Sequence, residues 1–311
     1  VMALRQAADA GASVAGATAW VSLEPCAHHG RTPPCAQTLI DAGVARVVTA
    51  IVDPDERVNN RGHAMLRAAG LAVEEGVLAG EARLGLADYM VHKSRSRPFV
   101  TLKLALSAEG HMGIAGSGQV AITGPVARAQ SHLMRARHHA ILVGVGTLNE
   151  DNPELSCRLD GLEDHSPTRI VLDPNARMLP GLKLVATARH QRTLIVAPRA
   201  SAAHGEAIAR GCELLPCEMH EGRVALPELL EDLAARGIVS LLVEGGAGVA
   251  RSFLEEGLVD ALELFVSPVT LAPEGAAIRS PVTPDTVPDG FRLTGTWQFG
   301  EDRLHSYRRE V

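Results

Sequence analysis

"IVSLLVEGGAGVARSFLEEG", Ile238 to Gly257, runs from a near-continuous apolar stretch through a glycine-rich turn into a helix-like segment. An apolar run with no polar alternation suits a strand buried on both faces, as in a parallel sheet, and the segment after it suits the crossover helix. The same transition from strand to glycine recurs at "AILVGVGT", Ala140 to Thr147. Around these two lie further short aliphatic runs: "FVTLKLALS" from Phe99, "TRIVLD", "RTLIVA", "ALELFVSP" and the terminal "RLHSYRRE". A helix is expected from Pro125 to Arg137, with proline in its first turn. The reading is an α/β domain over residues 99–311.

Upstream, "TAWVSL" and "ARVVTAIV" alternate with the helix-like "PPCAQTLIDAG" and "RGHAMLRAAG", then "LAVEEGV" as strand and "GEARLGLADYMVHK" as a closing helix. This is a β-α-β rhythm. It sets a first domain at 1–92, and the short basic "KSRSRP", 93–98, has linker composition. A length of 311 residues fits two domains at roughly 150 residues each. The chain is 46% hydrophobic but only 3% aromatic, so its cores must be aliphatic; a net charge of -6 gives no reason to expect nucleic acid or a membrane surface. With no apolar run near 18 residues and no signal-like start, the expectation is a cytoplasmic protein. Five cysteines, an odd number, point to reduced thiols rather than a disulfide framework.

Two of those cysteines stand out. In "SLEPCAHHGRTPPC", Ser22 to Cys35, each follows a proline, Cys26 leaving a strand and Cys35 opening a helix. Both thiols then meet at one helix N-terminus, whose positive end favours thiolate. That is half of the zinc site of nucleobase deaminases, which adds a His ligand, an open water position and a non-ligating Glu that shuttles protons. Two buried cysteines near a proline-rich turn are the plain alternative. "GCELLPCEMH", with Cys212, Cys217 and His220, reads as structural.

The whole stretch, with "IDAGVARVVTAIVDPD" and "NRGHAMLRAAGLAVEEGV", resembles the bifunctional riboflavin-biosynthesis enzymes, in which a pyrimidine deaminase is fused to a reductase. The resemblance implies a cytidine-deaminase-like zinc domain, incomplete at its N-terminus, followed by a dihydrofolate-reductase-like α/β domain. In that family a His-Ala-Glu-Val helix brings the third ligand and the proton shuttle, whereas this chain opens "VMALRQAADAG". The expectation is a piece of a longer parent, with Cys26 and Cys35 as its remaining zinc ligands and its catalytic Glu upstream of Val1. His28 and His29 fall on a loop that resembles a substrate-contacting one, and Arg31 there is a candidate for the substrate phosphate.

Residues 98–311 resemble the reductase half of the same family through "RPFVTLKLALSAEGHMG", "ITGPVARAQSHLMRARHHAILVGVGTLNEDNPELSCR" and "LLVEGGAGVARSFLEEGLVDALELFVSP". The resemblance implies NADPH as hydride donor. Ala105, Gln119, Ala121, Thr147, Asp151 and the turn Gly245, Gly246, Ala247 and Gly248 become cofactor contacts; Lys103, Arg135, Leu155, Arg158 and Glu244 become substrate contacts, Arg135 on the phosphate side. Read alone, the glycine turns are also plain tight turns, and Lys103 also suits a snorkelling strand lysine. The family's aromatic beside the cofactor is replaced by Ala121, and its Ser-Leu-Asp-Gly by Ser107-Ala108-Glu109-Gly110. A stand-alone NADPH reductase with a degenerate deaminase-like arm is the alternative reading, and a homodimer acting on small phosphoribosylaminopyrimidines the expected assembly.

Overall fold

The computed structural model describes residues 1–30, 33–198, 204–271 and 276–310. They divide into two compact units, Val1–Ser96 and Arg97–Val311.

In the first unit α1 (Met2–Asp9) precedes β1 (Thr18–Leu23), α2 (Cys35–Asp41), β2 (Arg46–Ile51), α3 (Arg61–Ala68) and β3 (Ala72–Glu75). The three strands form a parallel sheet in the order β1-β2-β3. Ala36, Leu39, Val44, Val47 and Leu66 fill a small aliphatic core between sheet and helices. The expected single closing helix is two, α4 (Ala79–Gly85) and α5 (Ala87–Arg95), meeting at Leu86, whose φ of -116° breaks the helical run. The expected linker 93–98 is also different. Lys93 to Arg95 form the last turn of α5, and Arg97 is buried, donating both Nη groups to the Asp260 carboxylate at 2.6 and 2.8 Å. Basic composition there reflects cations at a helix C-terminus and a buried ion pair rather than a solvated tether.

The second unit opens with β4 (Phe99–Leu106) and β5 (His111–Ile114), followed by α6 (Pro125–Arg137), β6 (Ala140–Gly144) and α7 (Val145–Asp151). Next come β7 (Thr168–Leu172), α8 (Lys183–Ala186), β8 (Thr193–Ala197), α9 (Gly205–Ala209) and β9 (Glu213–Pro216). A small ribbon, β10 (Met219–His220) with β11 (Arg223–Val224), leads to α10 (Leu226–Ala235), β12 (Ser240–Val243), α11 (Ala247–Glu255) and β13 (Ala261–Val266). The chain ends with β14 (Ala277–Arg279), β15 (Phe291–Phe299) and β16 (Asp302–Arg309). Among the described residues the main sheet has the order β15-β16-β13-β4-β12-β6-β7-β8-β9. Every pairing from β13 to β9 is parallel; the β15–β16 hairpin closes one edge antiparallel. β4, β6, β7, β8 and β12 carry almost unbroken buried aliphatic side chains, as a sheet covered on both faces requires. The late strand β12 enters between β4 and β6, so helices leave the sheet in opposite directions around it and a crevice opens at the strands' carboxyl ends.

Candidate active site

That crevice is a cleft of about 990 Å³. Its floor is β4, where Lys103 and Ala105 sit two residues apart and so share a face. Gln119 and Ala121, between β5 and α6, line one wall, and Thr147 and Asp151 of α7 line another. Glu244 follows β12 directly, its N–H donating to the Leu142 carbonyl at 3.0 Å, and Gly245 to Gly248 turn the chain into α11 along the same wall. The turn is tight at Gly246: a Cβ there would lie 2.6 Å from Thr147 Oγ1. Backbone N–H groups at such a turn, with the helix N-terminus behind them, suit a dinucleotide's phosphates.

Charge is concentrated around Glu244, where the turn begins. Arg135 donates Nε and Nη2 to the two Glu244 oxygens at 2.9 and 2.8 Å, and Nη1 to the Ser156 carbonyl at 3.2 Å. Burial pushes the Glu244 carboxyl up, but Arg135 and Lys103 outweigh it and hold the group at about 2, so it is ionised at neutral pH. Arg135, expected on the phosphate side of the substrate, thus meets the cleft with its Nε and Nη2 paired to Glu244. Burial pulls the Lys103 ammonium below its usual range, with Glu244 opposing; among the described residues it donates no hydrogen bond, and its Nζ lies 5.5 Å from the Phe265 ring centroid. Burial also raises the Asp151 carboxyl.

Thirteen of the expected reductase-side residues line this one cleft: Lys103, Ala105, Gln119, Ala121, Arg135, Thr147, Asp151, Arg158, Glu244, Gly245, Gly246, Ala247 and Gly248. Leu155 does not. Its side chain is 2% exposed and packs in the core beside Leu148 and Val171. Sequence reasoning missed Arg177, which lines the cleft beyond β7 and has no side-chain partner among the described residues, and Arg128, seven residues before Arg135 on α6. Both were findable, because all parallel strands present their carboxyl ends to one edge, and two helical turns return α6 to the same face.

In the first unit the chain brings the two thiols together. The Cys35 N–H donates to Cys26 Sγ at 3.3 Å, and the Ala36 N–H to the Cys26 carbonyl at 3.1 Å. The turn is anchored by the neighbouring Glu24, buried and accepting from the N–H groups of Gly62 at 2.8 Å and Asn60 at 2.9 Å. Burial, with Cys26 adding to it, pushes the Cys35 thiol up; the expected lowering by the helix end is outweighed. Zinc needs a third protein ligand here, and among the described residues no group of three His, Cys, Asp or Glu converges. The thiol pair alone does not make a complete zinc site. Arg31 lies outside the described residues.

A parallel α/β unit with a glycine turn and an Arg–Glu–Lys cluster in one cleft defines a dinucleotide-dependent reductase, here joined to a deaminase-like unit. The RibD C-terminal domain family matches residues 98–304, and the cytidine and deoxycytidylate deaminase zinc-binding region matches residues 1–51. The chain is 35% identical to the riboflavin biosynthesis protein RibD of Actinobacillus pleuropneumoniae over 300 residues, 94% of this chain and 79% of that one. It is also 35% identical to RibD of Escherichia coli, over 89% of this chain and 77% of that one. Among solved structures it is similar to the Thermotoga maritima diaminohydroxyphosphoribosylaminopyrimidine deaminase/5-amino-6-(5-phosphoribosylamino)uracil reductase (TM-score 0.84, 29% identity, 98% of this chain and 83% of that one). Acinetobacter baumannii RibD gives a TM-score of 0.83 at 30% identity, over 99% of this chain and 84% of that one. The chain belongs to the RibD family of bifunctional riboflavin-biosynthesis enzymes.

Proposed function

We propose that the cleft of the second unit reduces 5-amino-6-(5-phosphoribosylamino)uracil to its ribitylamino product, and that the first unit is the thiol-bearing part of the deaminase that acts one step earlier. The observation that carries this is the convergence of the glycine turn, Lys103 and the Arg135–Glu244 pair on one cleft. Thr147, Asp151, Gly245 to Gly248, Ala105, Gln119 and Ala121 would hold NADPH, with Arg177 as the cation for its 2′-phosphate. The cofactor, when bound, supplies the hydride.

The chain's own groups then divide the remaining work. Glu244, ionised and fixed by Arg135, accepts hydrogen bonds from the substrate's N–H groups and keeps the reacting amine oriented. Lys103 holds a proton at Nζ in a partly dry cleft, where burial makes that proton easier to give up than a surface lysine's. Arg158, paired to Glu154 at 3.2 Å but half exposed, remains available for the substrate phosphate. With this reading go a small-molecule substrate, a cytoplasmic homodimer, and no nucleic-acid or membrane partner. Among the described residues no helix is long and apolar enough to cross a membrane.

The test is NADPH oxidation by the 311-residue chain, supplied separately with the diaminopyrimidine phosphate and with its deaminated aminouracil. Oxidation with the deaminated compound alone is expected. Oxidation with neither overturns the reductase reading, and oxidation with both would require a working deaminase site.

A further inference from the structure

The second unit buries one cation that the proposed chemistry does not use. Arg169, the second residue of β7, is 1% exposed and is followed in the strand by the aliphatic Ile170, Val171 and Leu172. No carboxylate hydrogen-bonds to it among the described residues, although a buried charge is costly without one. All five of its N–H groups are instead spent on neutral oxygens. Nε donates to Thr193 Oγ1 at 2.9 Å; Nη1 to Thr187 Oγ1 at 2.8 Å and the Glu154 carbonyl at 3.3 Å; Nη2 to the carbonyls of Gln191 at 2.8 Å and Leu184 at 3.0 Å. An aliphatic residue would pack here at lower cost, so what the guanidinium adds is fixed geometry.

What it fixes is the turn behind Glu244. Leu155 has φ +56°, left-handed backbone that a branched L-residue adopts only under constraint. The carbonyls on either side of that residue are held by two different arginines. Arg169 Nη1 holds the Glu154 carbonyl at 3.3 Å, while the cleft residue Arg135 holds the Ser156 carbonyl through Nη1 at 3.2 Å, with His132 Nδ1 also 3.2 Å away. Gln191, whose own carbonyl Arg169 grips, donates Nε2 to the Leu155 carbonyl at 3.2 Å and to that of Pro167 at 2.8 Å. The path from Arg169 to the Arg135–Glu244 pair is thus continuous, and it meets the glycine turn only at its far end, where Glu244 precedes Gly245.

We propose that Arg169, with Gln191 as its relay, is a positioning residue for the substrate side of the cleft: it holds residues 154–156 where the Ser156 carbonyl aims Arg135, and through it Glu244. This rests on the assignment of Glu244 to the substrate. Lysine cannot replace the clamp, because three protons on one nitrogen cannot span five acceptors.

The experiment compares Arg169→Lys and the milder Gln191→Met with Arg97→Lys, a buried-arginine control remote from the turn. Both clamp variants are expected to raise KM for the aminouracil phosphate about 10-fold and lower kcat, with KM for NADPH within about twofold. The control is expected to lower Tm alone. In the same proteins, without substrate, amide exchange over residues 154–158 should accelerate about 10-fold in the clamp variants relative to residues 245–248. Loss of Tm with both KM values unchanged, or both KM values rising together, overturns the proposal, and Gln191→Met decides if Arg169→Lys does not fold. Were the wild-type chain inactive, the assignment of the cleft would fall, while the exchange pattern would still decide whether the clamp exists.

Discussion

At Glu244 two opposing effects meet, and their balance sets how the cleft responds to pH. Burial alone raises the carboxyl; Arg135 and Lys103 reverse this and hold it at about 2. Its folded value lies below the ordinary 4.5, so its stabilising contribution is complete above about pH 4.5 and is lost as pH falls toward 2. Glu244→Gln leaves the largely buried Arg135 without its counter-charge, and kcat/KM for the aminouracil should fall about 100-fold, with loss of Tm. Lys103 has the opposite exposure to pH. Its ammonium deprotonates more easily than a free lysine's 10.5, so the alkaline limb of kcat/KM should set in below that value, and Lys103→Arg should abolish the limb even where it lowers the rate. An unchanged limb in the arginine variant would remove Lys103 from the chemistry. At Gly246 the constraint is steric. Gly246→Ala drives a methyl to within 2.6 Å of Thr147 Oγ1, so the Thr147 side chain, the turn or α7 must shift. KM for NADPH should rise about 10-fold while the aminouracil KM changes little; the reverse split would place the glycine turn on the substrate side.

Elements differ in how far the sequence betrays them, and the reason is where their burial comes from. α6 is readable residue for residue, Pro125 to Arg137, because proline marks its first turn and the next strand starts three residues after its end. Less legible is how its start is held: Gly124 offers no capping side chain, and its own N–H is bound by the buried Asp302 of the distant hairpin at 2.7 Å. β15 was not anticipated at all. "FRLTGTWQF" alternates without a buried face, leaves Leu293 and Trp297 about half exposed, and is a strand only because β16 pairs with it across a bulge. Most of the cleft residues were legible through the family resemblance rather than through any local pattern, and nothing in the sequence announces the left-handed backbone of Leu155, whose side chain packs in the core. In the first unit the element-scale constraint sits at the start of α3. A Cβ on Gly62 would lie 1.8 Å from the Pro25 carbonyl, next to Cys26, where the Gly62 N–H is bound by Glu24. Gly62→Ala should cost roughly 2–4 kcal/mol and splay the Cys26–Cys35 pair. Thermal unfolding checks the first effect, and a changed rate of thiol alkylation the second; a variant as stable as wild type with unaltered thiols would show that the turn can give way.

For the molecule as a whole, each unit has its own aliphatic core, and the cleft with all its charged residues belongs to one of them. Residues 97–311 made alone should therefore keep kcat and both KM values for the reduction within about twofold of the full chain, because nothing that lines the cleft is lost. The boundary matters to a residue. Starting at Phe99 would remove Arg97, and with it two charge-assisted hydrogen bonds to the buried Asp260, which also accepts from the Val100 N–H at 2.9 Å at the opening of β4. Loss of one partner from a buried pair costs about 3–5 kcal/mol, so 99–311 should show a markedly lower Tm than 97–311, yet similar turnover at temperatures where both are folded. Equal Tm values would mean that water replaces Arg97 at little cost. A reductase that loses activity as 97–311 but not as the full chain would mean that the first unit contributes to the cleft directly, and the assignment of the whole reaction to residues of the second unit would have to be abandoned.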